Sequence, residues 1–161
     1  RGFGNGLAWP LGPLKTRLPM PTADLLITIG PEAAQADFTN EWGSQVRVPR
    51  LRGHLAPLPT GMDWDGLDVV AFAGIGAPER FFATLRAMGA RLHRTLALHD
   101  HQELTPALLH RLEREARALG AQLVTTEKDA VRAPASFRTK IVSLPVRLEL
   151  NDWSPLDALL P

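Results

Sequence analysis

The sequence predicts an α/β fold: a parallel sheet with helices on both faces, in the three-layer, Rossmann-like arrangement. Two observations favour it. From residue 67 onward, apolar runs of strand length alternate with amphipathic stretches of helix length, which is typical of strand–helix–strand crossovers. Three polar loops, at 74–78, 99–105 and 125–129, follow apolar runs. Parallel strands bring such loops to one edge of the sheet, where α/β proteins bind ligands.

The first predicted strand is the apolar run at 23–30, which ends at Gly30-Pro31. Its continuous apolar character is typical of a buried strand in a parallel sheet. The segment 31–59 has weak periodicity and a proline at position 49. We interpret it as an extended edge or hinge segment, because strands tolerate proline only at edges and bulges. A domain boundary is expected at 45–59.

A regular strand–loop–helix unit begins at Leu67. The run LDVVAFAGI predicts a buried strand, and Pro78 suits the first turn of the following helix. Gly89 suits its C-terminus. One face of this helix carries four apolar residues, Phe81, Phe82, Leu85 and Met88.

The next strand is predicted at 91–98, followed by a helix with Thr105 as N-cap and Pro106 at its first position. We expect Glu113 and Arg117 to pair on the solvent side of this helix. Its predicted apolar stripe consists of Leu108, Leu112, Ala116 and Leu119.

A third strand is predicted at 121–126, where Thr126 and Asp129 have the spacing of a capping box and a short helix or turn follows. The run KIVSLPVRLEL predicts one or two further strands interrupted at Pro145. A terminal helix is expected, capped near Ser154.

Composition excludes several classes of function. A formal net charge of +1 over 161 residues gives no electrostatic case for nucleic-acid binding, which would call for a clustered basic face. Cysteine is absent, which excludes disulfides and thiolate metal sites. No apolar run approaches the roughly 18 residues of a membrane-spanning helix, so membrane contact is expected to be peripheral. The chain begins at Arg1 in a Gly/Pro-rich stretch, which favours a fragment; a processed terminus is the alternative.

The three loops each lead into a predicted helix N-terminus, which attracts anions such as phosphate. Gly74 and Gly76 allow close backbone approach, although their spacing matches neither a dinucleotide-binding loop nor a P-loop. Arg80 can reach an anion at this edge. Thr126 and Lys128 can face a phosphate, although capping alone also explains Thr126.

The segment His99-Asp100-His101 is the most chemically suggestive cluster. A histidine beside a carboxylate at a strand end can transfer a proton or stabilise developing charge. The same pair of histidines can instead bind a metal, although no third and fourth ligand is evident. An ordinary loop histidine is the remaining interpretation.

Four motifs in order, GFGNG with a following GPL, AFAGIG.PERFF.TLR..GA, the DH pair and TTEKDAV, resemble the C-terminal half of the tetraacyldisaccharide 4'-kinase (lipid A 4'-kinase) family. The resemblance implies a kinase that transfers the γ-phosphoryl group of ATP to the 4'-position of a lipid A disaccharide precursor. It further implies ATP and Mg²⁺ as cofactors, peripheral contact with the bacterial inner membrane and a location at its cytoplasmic face.

Under this resemblance, residues 1–44 are the tail of a P-loop kinase core, 45–59 a hinge and 60–161 a second α/β domain. His101 and Asp100 correspond to the family's DH pair, with His101 facing the transferring phosphoryl group. The phosphate-binding candidates are Gly74, Gly76, Arg80, Thr126 and Lys128, and no metal ligand is assigned.

The chain departs from the family pattern at two places. Gln102 and Leu104 stand where an aromatic residue often follows the DH pair, and GPLKT replaces the frequent GPLRE, so Thr16 cannot act as a carboxylate. The Walker A loop and Mg²⁺ ligands of the family lie upstream of GFGNG, so a fragment is expected to be inactive alone. Two rival functions are a non-catalytic phosphosugar-binding domain and a metal hydrolase centred on His99 and His101.

Overall fold

The structure is a computed structural model and describes residues 2–15, 23–99 and 102–160. A short 3₁₀ helix, Gly43–Gln45, accompanies the regular elements. In chain order these are β1 Leu26–Ile29, α1 Glu32–Trp42, β2 Arg50–Pro57, β3 Asp68–Ala73, α2 Pro78–Ala87, β4 Arg91–Ala97, α3 Pro106–Ala118, β5 Gln122–Thr126, α4 Glu127–Arg132, α5 Ala135–Arg138, β6 Val142–Leu144, β7 Val146–Leu150 and α6 Ser154–Asp157.

The chain divides into two compact units. Unit 1 contains Arg1–Ala56 and Arg147–Pro161, and unit 2 contains Pro57–Val146. The division expected from the sequence, with a core remnant at 1–44 and a hinge at 45–59, stays a prediction. Compactness alone does not assign a segment to a kinase core. Among the described helices, none is long and apolar enough to cross a membrane.

Unit 1 has a three-stranded sheet in the order β1-β2-β7, with β1 and β2 parallel. Its apolar cluster joins Phe3 of the N-terminal segment to Phe38 and Trp42 of α1. The ring of Phe3 meets those of Phe38 and Trp42 edge to face, at centroid distances of 5.2 and 5.4 Å.

The interpretation of residues 31–59 as extended was wrong for α1 and for the position of β2. Helix α1 buries Gln35 beside Phe38 and Trp42, and this polar residue hides the apolar periodicity. The Gln35 amide donates to the carbonyls of Thr28 and Gly53, at 2.9 and 3.2 Å. Strand β2 lies between two neighbours rather than at an edge. Pro49 directly precedes it and so removes no ladder donor.

Strand β1 is present as predicted but is not fully buried. Leu26 packs against the cluster around Phe38, and the Thr28 hydroxyl donates to the Gln35 side chain at 2.7 Å. The alternate side chains Ile27 and Ile29 are 37% and 51% exposed. A continuous apolar run therefore does not show that both faces of the strand are buried: in β1 only one face is covered.

Unit 2 has a four-stranded parallel sheet in the order β4-β3-β5-β6. Helices cover both of its faces. Val70 and Phe72 of β3 pack in one cluster with Leu109 and Leu112 of α3. On the opposite face, Val69, Ala71 and Ala73 of the same strand pack in a second cluster with Phe81, Phe82 and Leu85 of α2. The predicted three-layer α/β fold is therefore confirmed.

The N-terminus of α3 is the predicted one, but its buried stripe differs. The Thr105 hydroxyl accepts from the Leu108 amide at 3.3 Å, with Pro106 at the first helical position. The buried apolar residues are Leu109, Leu112 and Ala116. The predicted Leu108 is partly buried and packs against the same cluster. The expected Leu119 is 47% exposed because it lies at the C-cap, where the helical path ends.

Glu113 pairs with Arg117 as predicted, at 2.8 Å, but it is buried rather than on the solvent side. Lys140 lies 3.0 Å from the same carboxylate, and His110 3.6 Å. The hydrogen bond from Lys140 is the main cause that lowers the pKa of Glu113 below its usual range. The positive charges of Lys140, Arg117 and His110 act in the same direction, against burial.

The last predicted elements are also present. Pro145 separates β6 from β7. The terminal helix α6 is short, and the Asp152 carboxylate accepts from the backbone N–H and the hydroxyl of Ser154, at 2.9 and 2.8 Å.

The position of the α3 stripe can be tested with one substitution at two sites. We expect Leu109→Ala to lower the free energy of unfolding by about 2–5 kcal/mol, because it leaves a cavity in the core. Leu119→Ala removes the same atoms from an exposed site and is expected to change it by about 0.5 kcal/mol or less. Urea denaturation of the purified protein measures both. Equal losses would contradict the observed stripe.

The Glu113 cluster predicts a pH dependence. Because the folded-state pKa is lowered, Glu113 contributes stability above its unfolded-state pKa, and the contribution is lost as the pH falls through the folded-state pKa. We expect Glu113→Gln to be less stable than the wild type at neutral pH. The difference should shrink as the pH falls below about 4.3, the usual glutamate pKa. Urea midpoints across this range measure it, with the exposed Glu41→Gln as control. A pH-independent difference would refute the assignment.

Candidate functional site

The three polar loops predicted to share one edge do share it. Strand β3 lies between β4 and β5 and is parallel to both, and the three strands end at Ala73, Ala97 and Thr126. We call this side of the unit 2 sheet the carboxyl edge. The loops after β3 and β4 lead into α2 and α3, and β5 leads directly into α4.

The carboxylate of Asp129 lies at the centre of the carboxyl edge and is completely buried. Its Oδ2 accepts from the Gly74 amide and from the Thr126 hydroxyl, each at 2.8 Å. Its Oδ1 accepts from Nη1 of Arg132 at 3.0 Å. A buried carboxylate is costly without such donors. Asp129 therefore fixes the loop after β3 to the start of α4.

Arg132 extends this network to the loop after β4. Its Nη1 binds Asp129, and its Nη2 donates to the carbonyl of Gln102 at 2.6 Å. The main-chain N–H of Gln102 in turn donates to the His99 carbonyl at 2.9 Å. The side-chain oxygen of Gln102 accepts from the main-chain N–H of His99 at 3.1 Å. All three loops are thus joined by hydrogen bonds.

Gly74 is a position of close approach. A Cβ placed there would lie 3.1 Å from Oδ1 of Asp129, 3.5 Å from the His99 carbonyl oxygen and 3.6 Å from Nη1 of Arg132. Its φ lies outside the left-handed region, so space rather than backbone conformation favours glycine here. Its amide is already bonded to Asp129, and its role in phosphate binding stays a prediction.

The other predicted phosphate-binding residues lie around this network. Thr126 caps α4, since its hydroxyl accepts from the Asp129 amide at 3.3 Å while donating to the carboxylate. Gly76, Arg80 and Lys128 are exposed. Within the described residues, the Arg80 side chain has no hydrogen-bond or ion-pair partner. The phosphate-binding assignments of these four residues stay predictions.

The two predicted catalytic residues, Asp100 and His101, lie outside the described residues. His99 immediately before them is exposed. Across 2–15, 23–99 and 102–160, the structure contains no group of three or more histidine, aspartate or glutamate side chains that could hold a metal ion. The described part of the chain therefore provides no set of metal ligands for the alternative function of a metal hydrolase.

Family membership follows from comparison with known proteins. The family model described as "Tetraacyldisaccharide-1-P 4'-kinase" (LpxK) matches residues 1–161. The chain belongs to this family. The resemblance inferred from its motifs is confirmed.

Two curated members of the tetraacyldisaccharide-1-P 4'-kinase family are each 56% identical to the chain. The tetraacyldisaccharide 4'-kinase of Jannaschia sp. (strain CCS1) aligns over 160 residues, 98% of this chain and 49% of that protein. The protein of the same name from Dinoroseobacter shibae aligns over 163 residues, 99% of this chain and 48% of that protein. The chain spans about half the length of these curated relatives.

A solved structure of the tetraacyldisaccharide-1-P 4'-kinase family shares the fold. It is a crystal structure of LpxK from Aquifex aeolicus, an "apo" form in complex with ATP, with a TM-score of 0.60. The match covers 97% of this chain and 48% of that chain, at 17% sequence identity. At this identity the likeness establishes the fold alone.

Sequence reasoning on this member of the tetraacyldisaccharide-1-P 4'-kinase family missed Arg132. The spacing of three residues from Asp129 to Arg132, in the segment predicted to form a short helix or turn, is a signal for an ion pair. The contact with Gln102 had no such signal, because it joins residues 30 positions apart. Thr125 was also missed: it is completely buried and donates to the Phe72 carbonyl at 2.7 Å.

The Asp129 network predicts a strong effect of a minimal substitution. In Asp129→Asn an NH₂ group replaces one oxygen, and both oxygens of Asp129 receive donors. Either orientation therefore places donor against donor. We expect the free energy of unfolding to fall by about 2–4 kcal/mol. Urea denaturation measures this, with Asp37→Asn on the exposed side of α1 as control. A loss no larger than that of the control would contradict the network.

Proposed function

We propose that the chain is part of a kinase that transfers the γ-phosphoryl group of ATP to the 4'-position of a tetraacyldisaccharide 1-phosphate, in lipid A biosynthesis. The observation that carries this proposal is the family match over residues 1–161, together with 56% identity to named tetraacyldisaccharide 4'-kinases over nearly the whole chain. Because the chain spans about half of these proteins, the complete activity is proposed for the protein that contains it.

The geometry of the carboxyl edge supports this proposal. Phosphoryl transfer requires positioning of the phosphate groups and stabilisation of the negative charge that spreads over the transferred group. Two helices of ten and thirteen residues, α2 and α3, begin at this edge. Their N-terminal N–H groups favour anions. The exposed cations Arg80 and Lys128 lie in the segments that follow β3 and β5.

We propose His101 as the residue that faces the transferring phosphoryl group, with Asp100 beside it. Gly74, Gly76, Arg80, Thr126 and Lys128 are proposed to surround the phosphates. The support for His101 is its place in the family's DH pair and its position in the chain. It lies between His99 and Gln102, which the hydrogen-bond network holds at the carboxyl edge.

ATP is the proposed phosphoryl donor, and Mg²⁺ would neutralise charge on its phosphates. Among the described residues, no three carboxylate or imidazole groups come together to form a Mg²⁺ site made of protein ligands alone. The sequence also has no GxxxxGK[ST] loop to hold the phosphates of ATP. We propose that both lie in the half of the relatives that this chain does not match.

The lipid acceptor implies a location. A tetraacylated disaccharide partitions into a bilayer, because each buried methylene contributes about 0.8 kcal/mol. A kinase that uses ATP and this acceptor must therefore work at a membrane surface with access to cytoplasmic ATP. We propose peripheral contact with the cytoplasmic face of the bacterial inner membrane.

The test is an assay of the complete gene product that contains this chain. Transfer of the γ-phosphoryl group from ATP to a tetraacyldisaccharide 1-phosphate is measured for the wild type and for His101→Ala. We expect turnover to fall by about 100-fold or more, in the range of effects of catalytic proton-transfer or charge-stabilising groups. The melting temperature should stay the same.

His54→Ala is the matched control, because it also replaces a histidine by alanine. His54 is exposed, and its imidazole lies 3.6 Å from the Glu149 carboxylate. Its turnover should equal that of the wild type. A wild-type protein without phosphoryl transfer would refute the proposed reaction. Unchanged turnover in His101→Ala would refute the role of the histidine while leaving the reaction in place.

A further inference from the structure

We infer that Arg132 is a positioning residue, which fixes the loop that carries Asp100 and His101 relative to the rest of the carboxyl edge. The inference rests on the proposed function for its catalytic consequence. Its structural basis is separate, because it depends only on contacts among described residues.

The first step is the bridge that Arg132 forms. One guanidinium nitrogen is bound to the buried Asp129 carboxylate at 3.0 Å, and the other donates to the Gln102 carbonyl at 2.6 Å. The Arg132 side chain is 27% exposed and that of Asp129 is fully buried. The carboxylate thus holds the guanidinium in place, and the guanidinium holds the loop.

The second step concerns the two residues that flank Asp100 and His101. His99 and Gln102 are joined to each other by two hydrogen bonds, at 2.9 and 3.1 Å. Leu98 and Leu104 just outside them are buried, at 7% and 5% exposure. The described residues on both sides of Asp100 and His101 are therefore held in place, Leu98 and Leu104 by apolar burial and Gln102 by its hydrogen bond from Arg132.

The third step is the chemistry of the bridging side chain. Arginine presents several N–H donors in a rigid planar fork, so it can bind a carboxylate and a carbonyl at once. Lysine carries a single nitrogen on a flexible chain. The bridge between Asp129 and Gln102 uses both terminal nitrogens of the fork, and we expect lysine to replace it poorly.

The fourth step is the link to the neighbouring loop. Gly74 donates its main-chain amide to the same carboxylate, and a Cβ at this position would be crowded by Oδ1 of Asp129, at 3.1 Å, and would contact the His99 carbonyl oxygen, at 3.5 Å. Displacement of the loop after β4 therefore changes the contacts of the loop after β3. Misplacement of catalytic groups by about 1 Å can lower a rate about 100-fold.

The experiment uses the complete gene product with Arg132→Gln, Arg132→Lys and the control Arg138→Gln. Arg138 is a suitable control because it also donates to two backbone carbonyls, of Ala133 and Val131, at 3.0 and 2.9 Å. Among the described residues of the loop, 99 and 102–105, none forms a hydrogen bond or ion pair with it. Turnover, KM for both substrates, melting temperature and amide hydrogen exchange are measured for each variant.

In Arg132→Gln we expect turnover to fall by about 10- to 100-fold, with KM values within about threefold of the wild type. Amide exchange in peptides spanning 98–104 should become about tenfold faster or more, because a hydrogen bond that closes the loop is lost. Arg132→Lys should recover little of either effect. Arg138→Gln should resemble the wild type in turnover and in exchange of these peptides.

A double-mutant cycle with His101→Ala tests whether Arg132 acts through the loop. When His101 is already absent, adding Arg132→Gln should lower turnover by no more than about twofold. If the losses of turnover in His101→Ala and in Arg132→Gln multiply fully in the double variant, the inference is overturned. Full recovery of turnover in Arg132→Lys, or unchanged amide exchange at 98–104 in Arg132→Gln, would also overturn it. Unchanged turnover in His101→Ala alone counts against the proposed function, and the exchange measurement then still decides whether Arg132 positions the loop.

Discussion

A carboxylate without access to water must be surrounded by N–H and O–H donors, and this constraint organises the carboxyl edge. The donors to Asp129 come from the loop after β3, from the cap of α4 and from the side chain of Arg132. Each donor is needed, because an unpaired buried charge is far more costly than a paired one. The conformations of these segments are therefore coupled, and a change in one alters the electrostatic environment of the others.

The apolar framework decides where this coupling takes place. Strand β3 is buried on both faces, with α3 on one side and α2 on the other. Its neighbours β4 and β5 run in the same direction, so their C-terminal ends and the polar residues after them are adjacent. The hydrophobic cores thus supply the alignment, and hydrogen bonds to one buried side chain supply the local order that apolar packing cannot provide.

Features encoded over short stretches of sequence were predicted well. The strands of unit 2, the caps at Thr105 and Thr126 and the shared edge of the loops all depend on local periodicity or on hydrogen bonds between near neighbours. The errors have physical causes of another kind. Helix α1 buries Gln35, whose side-chain amide donates to two strand carbonyls. In the sequence a glutamine is typical of a surface position, so the buried face of this helix was not recognised. Glu113 is buried because Lys140, distant in sequence, pairs with it.

The same distinction applies to the candidate site. The residue types at 126–129 indicated a cap, and the cap is there. The bridge from Arg132 to Gln102 depends on tertiary structure, so no local pattern indicates it. The role proposed for the DH pair rests on the family motifs and not on the residues that surround it.

The side chains of Asp129 and Arg132 contact two main-chain groups at the carboxyl edge, the amide of Gly74 and the carbonyl of Gln102. A main-chain carbonyl is present at residue 102 whichever amino acid stands there. Evolution can therefore exchange the side chains of the loop after β4 while its attachment to Arg132 persists. Positions 74 and 129 are more restricted, since a Cβ at 74 would lie 3.1 Å from Oδ1 of Asp129 and the network depends on the carboxylate at 129. The network thus combines a position whose attachment does not depend on its own side chain, at 102, with positions where the size or the charge of the side chain matters, at 74 and 129.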